Sequence, residues 1–284
     1  MTTRNNRHHA LGGPQIVWDR DPQAGRLGLV LSGGAARGIA HLGVLQVLEE
    51  HDIRPDCIAG CSAGAVVGGL YAAGVPVSEL VDHARELRWR EVASITRPGL
   101  GFFDFSRLEA RIDEILGKPT TFADLQIPFA AVAVDIMTGE LVAMNEGPLA
   151  PAIRASCSVP GIFVPVRRSG RLLVDGGVVN NLPVSVVQGM GATSTIAVDV
   201  LPAGGMRQKE PKNIVDLLFT TMYMLIRATH NEGPQADRVI MPDVGHVSMT
   251  DLSAVDELVE AGRTAAKAMI PIIKRELGSK DEKR

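Results

Sequence analysis

Arg26-Leu27-Gly28-Leu29-Val30-Leu31 runs without a break into Ser32-Gly33-Gly34-Ala35-Ala36-Arg37-Gly38. A short apolar run bounded by a glycine cluster reads as a buried strand ending in a tight turn. From Ile39 to about Glu50 the pattern becomes helical. Ile39, Leu42, Val44, Leu45, Val47 and Leu48 put apolar groups on most faces, so the helix is expected to be well covered. The succession then repeats. A strand over about 57–60 meets Cys61-Ser62-Ala63-Gly64, and a helix of small residues runs on to about Ala73.

Working outward, strands are expected near 127–134, 140–144, 171–174, 195–200 and 238–241. Helices are expected near 78–90, 106–116, 149–156, 214–229 and 255–273. Residues 96–105 read as a loop carrying two adjacent phenylalanines, and Ser106 as a helix cap. Strands separated by helices predict a three-layer α/β/α domain with a mainly parallel central sheet. Residues 1–24 are expected to be a flexible arm, 25–278 a single catalytic domain and 279–284 a charged, solvated tail.

Composition excludes several classes. Among 284 residues the hydrophobic share is 45%, enough for a substantial core. The 30 glycines and 17 prolines are too few and too aperiodic for a collagen-like chain. A formal charge of −3 offers no long-range attraction for nucleic acid, and only 7 Phe, 2 Tyr and 2 Trp are present to stack on bases. No nucleic-acid partner is therefore expected. Three cysteines, Cys57, Cys61 and Cys157, make no disulfide framework, so a reduced, cytoplasmic chain is expected. None of them has zinc-site spacing, and His41, His51 and His83 form no H-x-x-x-H pair, so no metal is expected. The polar opening MTTRNNRHHALGG has no apolar core of a secretion signal. The longest apolar candidate, 214–226, is too short to span a membrane and contains Asp216.

Gly60-Cys61-Ser62-Ala63-Gly64 matches G-x-S-x-G between an expected strand and an expected helix, and that context gives the pentapeptide its meaning. A sharp turn there lifts the serine oxygen to a helix N-terminus, where free N–H groups favour developing negative charge. Gly60 and Gly64 leave the elbow room. The alternative is a chance match in a glycine-rich chain. Cys61, the neighbouring nucleophile, reads as core packing.

A serine nucleophile needs a proton acceptor. His8, His9, His41 and His246 carry no local triad signature. Asp175 follows a strand and precedes Gly176-Gly177, which let backbone segments approach closely. The two readings of Asp175, as a base in direct contact with Ser62 or as an ordinary Asp-Gly turn, stand level on local sequence. The loop 32–38 likewise has two readings. It could cradle a phosphate, although neither the P-loop nor the Rossmann spacing is met. Or it could aim backbone N–H groups of Gly33, Gly34 and Ala35 at an oxyanion, with Gly33 giving the bend. Arg37 and Gly38 would then support the loop, or Arg37 would attract an anionic headgroup.

Taken in order, Leu29 to Gly38 with Ile39 to Leu45, Gly60 to Gly64, Ala155 to Phe163, and Asp175-Gly176-Gly177 with Asn180-Asn181-Leu182-Pro183 resemble the patatin-like phospholipases, in particular the bacterial, neuropathy-target-esterase-like branch. The resemblance covers about residues 26–200. It implies a Ser-Asp dyad at Ser62 and Asp175, an oxyanion hole at Gly33, Gly34 and Ala35, and cofactor-free hydrolysis of phospholipid, lysophospholipid or related acyl esters. The chain departs from that branch at Ser32 and Ala35, where glycine is usual. Ala35 must then take a negative φ or accept strain. Candidate acyl-groove residues are Phe102, Phe103, Phe105, Ile162 and Phe163, with Leu217, Leu218, Met222, Met224 and Leu225. The Met-rich helix could also touch a membrane surface. An acyltransferase sharing the acyl-enzyme, a non-catalytic lipid-binding or scaffold protein, and a nucleotide binder are the competing functions.

Overall fold

The computed structural model describes residues 26–97, 99–201, 210–229 and 236–281. The expected arm and the last residues of the expected tail therefore lie outside the described residues. The chain begins β1 (Leu27–Leu31), a 3₁₀ turn over Ala35–Ile39, α1 (Ala40–Glu50), β2 (Cys57–Cys61) and α2 (Ala63–Ala72). Then come α3 (Val77–Glu86), α4 (Trp89–Val92), β3 (Ser94–Ile95), β4 (Gly101–Asp104) and α5 (Ser106–Ile115). The middle holds β5 (Phe129–Asp135), β6 (Glu140–Met144), α6 (Leu149–Ser156), β7 (Gly161–Phe163), β8 (Val166–Arg168) and β9 (Arg171–Asp175). The rest is α7 (Val184–Gly189), β10 (Ser194–Val198), α8 (Ile214–Thr229), β11 (Arg238–Ile240) and α9 (Val255–Asp281).

The main sheet runs β11-β10-β1-β2-β5-β9-β8, with β6 also on β5. Strands β11, β10, β1, β2 and β5 are mutually parallel, and β6, β8 and β9 pair antiparallel. The expected α/β/α architecture with a predominantly parallel sheet is what forms. Alternation along the strands feeds two core layers: Leu29, Leu31 and Ile58 face one, Val30, Ala59 and Val132 the other, under α7. On the first face α1 and α9 meet backbone to backbone. A Cβ at Gly43 would lie 1.9 Å from the Val259 carbonyl oxygen, so only glycine permits this approach.

Several local expectations needed correction. The 96–105 loop contains β4, which pairs with β3 and with β7 some 60 residues on; such a partner leaves no local periodicity. Ser106 is the first residue of α5 rather than its cap, which is Phe105, and its N–H donates to Asp104 Oδ1 at 2.6 Å. The helix expected over 78–90 stops at Glu86, because Leu87 turns extended and Trp89 starts α4, its indole N–H donating to the Thr250 carbonyl. The final helix continues past Ile273 to Asp281, carrying Pro271 within it.

Candidate active site

Register brings the site together. Leu31 of β1 stands opposite Gly60 of β2, so the two glycine-rich turns leave the sheet side by side. Cys61 stands opposite Val132 of β5, and the next residue, Ala133, stands opposite Asp175 of β9. Ser62 and Asp175 therefore emerge at one level, on either side of β5. β9 runs antiparallel to β5, so pairing register rather than a shared strand direction carries Asp175 to the level of Ser62.

Ser62 is the elbow residue, with φ 52° and ψ −122°, in the left-handed half of backbone space that a non-glycine residue enters at a cost. Close approach pays part of that cost. A Cβ at Gly60 would come within 2.4 Å of the Gly64 carbonyl oxygen, and one at Gly64 within 2.2 Å of that of Leu31. Gly38 lets the first turn nest on the second, since its Cβ would meet that of Ala63 at 2.4 Å. The elbow is also tied from outside. The Ser62 N–H donates to Ser156 Oγ at 2.9 Å, and Ser156 Oγ donates to the Val132 carbonyl at 2.6 Å. Ser156 is fully buried at the end of α6.

Asp175 is 3% exposed. Its Oδ1 accepts the Gly177 N–H at 2.8 Å and the Cys61 thiol at 3.7 Å, and the nearby Ser62 hydroxyl favours the charged form of the same carboxylate. Burial pushes the carboxyl up to about 6, against the three bonds, led by that from Ser62, that favour its charged form. The turn reading of Asp175 is realised through Gly177, and Ser62 lines the same small pocket. Gly176 packs on β5, where a Cβ would lie 2.7 Å from the Val132 carbonyl oxygen. Cys61 is in the core, as expected, but its thiol faces Asp175. Burial raises the thiol pKa of both Cys61 and Cys157, which keeps them protonated.

The loop after β1 presents backbone. Ala35 accepts the left-handed conformation, φ 50°, rather than avoiding it. The Gly33 N–H donates to the Asn181 carbonyl at 3.4 Å, while the Asn181 amide donates to the Gly33 carbonyl at 3.3 Å. The Gly34 and Ala35 N–H groups have no acceptor among the described residues. Further along, the Ala36 N–H donates to the Met249 carbonyl. Arg37 is 4% exposed, its Nε on the Val247 carbonyl at 2.8 Å and Nη2 on Gly245 at 3.1 Å, and its guanidinium lies 5.8 Å from the Tyr223 ring centre. Those two bonds tie the 32–38 loop to the 245–247 segment. His41 is wholly buried, with Nε2 2.9 Å from the Ser32 carbonyl oxygen, and burial lowers its pKa to about 4, so it stays neutral. Ser32 Oγ accepts the Val200 N–H. The serine in place of the usual glycine thus ties β1 to the end of β10.

Two pockets share Ser62. The larger, about 170 Å³, is walled by Ile39, Val66, Leu80, Phe105, Leu108 and Phe163 among others. The smaller, about 40 Å³, holds Gly33, Gly34, Ala35, Ser62, Asp175 and Asn181, roofed by Phe219, Met222, Tyr223 and Ile226 of α8. Of the expected groove residues, Phe105, Phe163 and Met222 line these spaces; Phe102, Leu217, Met224 and Leu225 are exposed; Ile162 is buried elsewhere in the core. His246 bonds Glu257 instead of joining the site, and His8 and His9 lie outside the described residues. Among the described residues no cluster could hold a metal ion. The positioning residues Ser156 and Asn181 escaped the sequence reading. They lie in stretches that carried the resemblance, yet nothing local marks either as touching a turn more than 90 residues away.

Residues 29–187 match the profile of the patatin-like phospholipase family. The chain belongs to that family, in its NTE-related branch. It is 40% identical over 203 residues to an uncharacterized NTE family protein of Mycobacterium tuberculosis, covering 70% of this chain and 56% of that relative. It is 33% identical over 243 residues to a lysophospholipase, NTE1, of Mycosarcoma maydis, covering 83% of this chain but 12% of the relative. The chain thus spans only about half, or much less, of the curated relatives it matches. The crystal structure of VipD from Legionella pneumophila shares the fold, with a TM-score of 0.54 at 15% identity over 89% of this chain and 67% of that one.

Proposed function

We propose that the chain is a serine acyl hydrolase that cleaves carboxylic esters of phospholipids, lysophospholipids or related lipids. One observation carries the reading: Ser62 and the buried carboxylate of Asp175 share one small pocket with the backbone amides of Gly34 and Ala35, which have no acceptor among the described residues. Asp175 takes the Ser62 proton as Oγ attacks the ester carbonyl carbon. The amides of Gly34 and Ala35 receive the oxyanion, and the alcohol leaves with the proton from Asp175. Water then gives a proton to Asp175 as it attacks the acyl-enzyme, the bond to Ser62 Oγ breaks to free the fatty acid, and Asp175 returns the proton to Ser62 Oγ. A carboxyl raised to about 6 is a better base than an ordinary aspartate and remains largely ionised at neutral pH. The NTE1 relative's description as a lysophospholipase supports this substrate class.

The acyl chain belongs in the 170 Å³ apolar pocket and the leaving group on the 40 Å³ side. A space that small takes a water or two but no lipid headgroup, so α8 must shift for a phospholipid to enter. Its outer face carries Ile214, Leu217, Met224 and Leu225, all about half exposed or more. That face supports a peripheral contact with a lipid surface. No described helix is long and apolar enough to cross a membrane.

The test is a lipid-ester panel with the purified chain, Ser62→Ala and Asp175→Asn. Wild type is expected to release fatty acid and both variants to lose at least 10³-fold, the magnitude of removing a nucleophile or its base. The pH profile of kcat/KM is expected to rise to a plateau through about pH 6, as the Asp175 carboxyl ionises. Full activity of either variant would defeat its assigned role.

A further inference from the structure

The strand order sets the elbow and the carboxylate two strands apart. β5 lies between β2 and β9, so no ladder joins them, and about 10 Å of sheet separates the two backbones. A side-chain hydrogen bond crosses that gap. Cys61, the last residue of β2 and the chain neighbour of Ser62, donates its thiol to Asp175 Oδ1 at 3.7 Å. The Gly177 N–H donates to the same oxygen at 2.8 Å. Both donors thus converge on Oδ1.

Cys61 is wholly buried and Asp175 nearly so. Burial raises the thiol pKa, so the S–H is present as a donor across the neutral range. A thiol is a weak donor. It orients a carboxylate while stabilising its charged form less than a hydroxyl or an amide would. A general base needs that combination, fixed in place yet with its pKa kept near the working pH. We propose that Cys61 is a positioning residue for ester cleavage: its thiol, with the Gly177 N–H, holds Oδ1 of Asp175 and so leaves Oδ2 to take the Ser62 proton. The proposal rests on the Ser62–Asp175 reading for its chemistry, whereas the thiol–carboxylate bond is a property of the fold. Among the described residues the other titratable groups about the carboxylate are Cys157, which follows α6, and Tyr223 of α8 in the shared small pocket.

Infrared spectroscopy reads the bond through the S–H stretching band, which falls in frequency when a thiol donates to a charged acceptor. The Cys61 band is the one missing from Cys61→Ala. In the parent chain it is expected to move to higher frequency as pH falls through about 6, where burial places the Asp175 carboxyl, and to stay high at every pH in Asp175→Asn. Cys157→Ala should leave that band and its movement in place. The kinetic counterpart is the rising limb of kcat/KM. Losing a donor to the charged form raises a carboxyl pKa, so in Cys61→Ala the limb is expected about half a pH unit higher, with plateau kcat down about three- to tenfold and KM nearly unchanged. A packing defect alone would lower stability without moving the limb. Should Cys61→Ala not fold, an S–H band displaced by Asp175→Asn in the Cys157→Ala background supports the proposal, and an undisplaced one overturns it. Rate limbs that coincide for Cys61→Ala and the parent would overturn it too. Fatty-acid release is measured on the same proteins. No release from any ester, with the S–H response intact, would remove the hydrolase reading and the thiol's part in it while the bond stands. Release with an unresponsive band would remove this proposal alone.

Discussion

The chain passes from strand to helix twice at neighbouring places, and the two passages do opposite things. After β2 the turn exposes a side chain, Ser62, and ties down the backbone N–H through Ser156. After β1 the turn ties down its flanks, and the N–H groups of Gly34 and Ala35 have no acceptor among the described residues. Each bends at one non-glycine residue in the left-handed region, Ser62 at φ 52° and Ala35 at φ 50°. A positive φ thus stands at each turn, at the hydroxyl-bearing residue in one case and beside the amides without an acceptor among the described residues in the other. What separates them is the tether: a serine on α6 holds the first, and Asn181 with the 245–249 segment holds the second.

The sharpest way to break this pairing is Ser62→Ala, expected to cost about 10⁴-fold or more in kcat while leaving the thermal midpoint within a few degrees. Gly33→Ala attacks the other turn. Its Cβ would lie 2.6 Å from Asn181 Oδ1 and 2.9 Å from the Ser62 Cβ, so the loop must shift. A loss of about 10²–10³-fold in kcat, the scale of losing an oxyanion donor, is expected with the fold retained by circular dichroism. Ser156→Ala leaves the Ser62 N–H and the Val132 carbonyl without their shared partner. It should lower kcat about 10- to 100-fold with KM nearly unchanged, and Ser156→Thr should restore part of the loss. Smallest is Ala35→Gly, which relieves the bend and keeps the N–H. Activity should stay within about threefold, and stability should rise by at most about 1 kcal/mol in a denaturant titration.

Much of this contrast was legible in the residues. The two strand–glycine–helix passages read correctly because alternating apolar strands and small-residue turns are local signals, and because parallel neighbours put their turns at one edge. Ser62 could be named as a candidate for the same reason, and Asp175 from the strand end it follows and the two glycines after it. What decides their meeting could not. β9 runs antiparallel, and the pairing of Ala133 with Asp175 depends on contacts across 42 residues that leave no periodicity of their own. The small β3-β4-β7 sheet was missed for that reason too. Ser156 and Asn181 are buried polar residues whose partners lie far along the chain, and a single serine or asparagine in a loop looks alike whether it is tethered or free.

The stretch matching the family profile stops at residue 187, yet Arg37 and Ala36 donate to carbonyls of Gly245, Val247 and Met249. The family-matching stretch therefore does not anchor its own first glycine turn: a fragment ending at residue 187 would lack all three of those carbonyls, and the guanidinium of Arg37 would lose the acceptors that hold it beneath the loop.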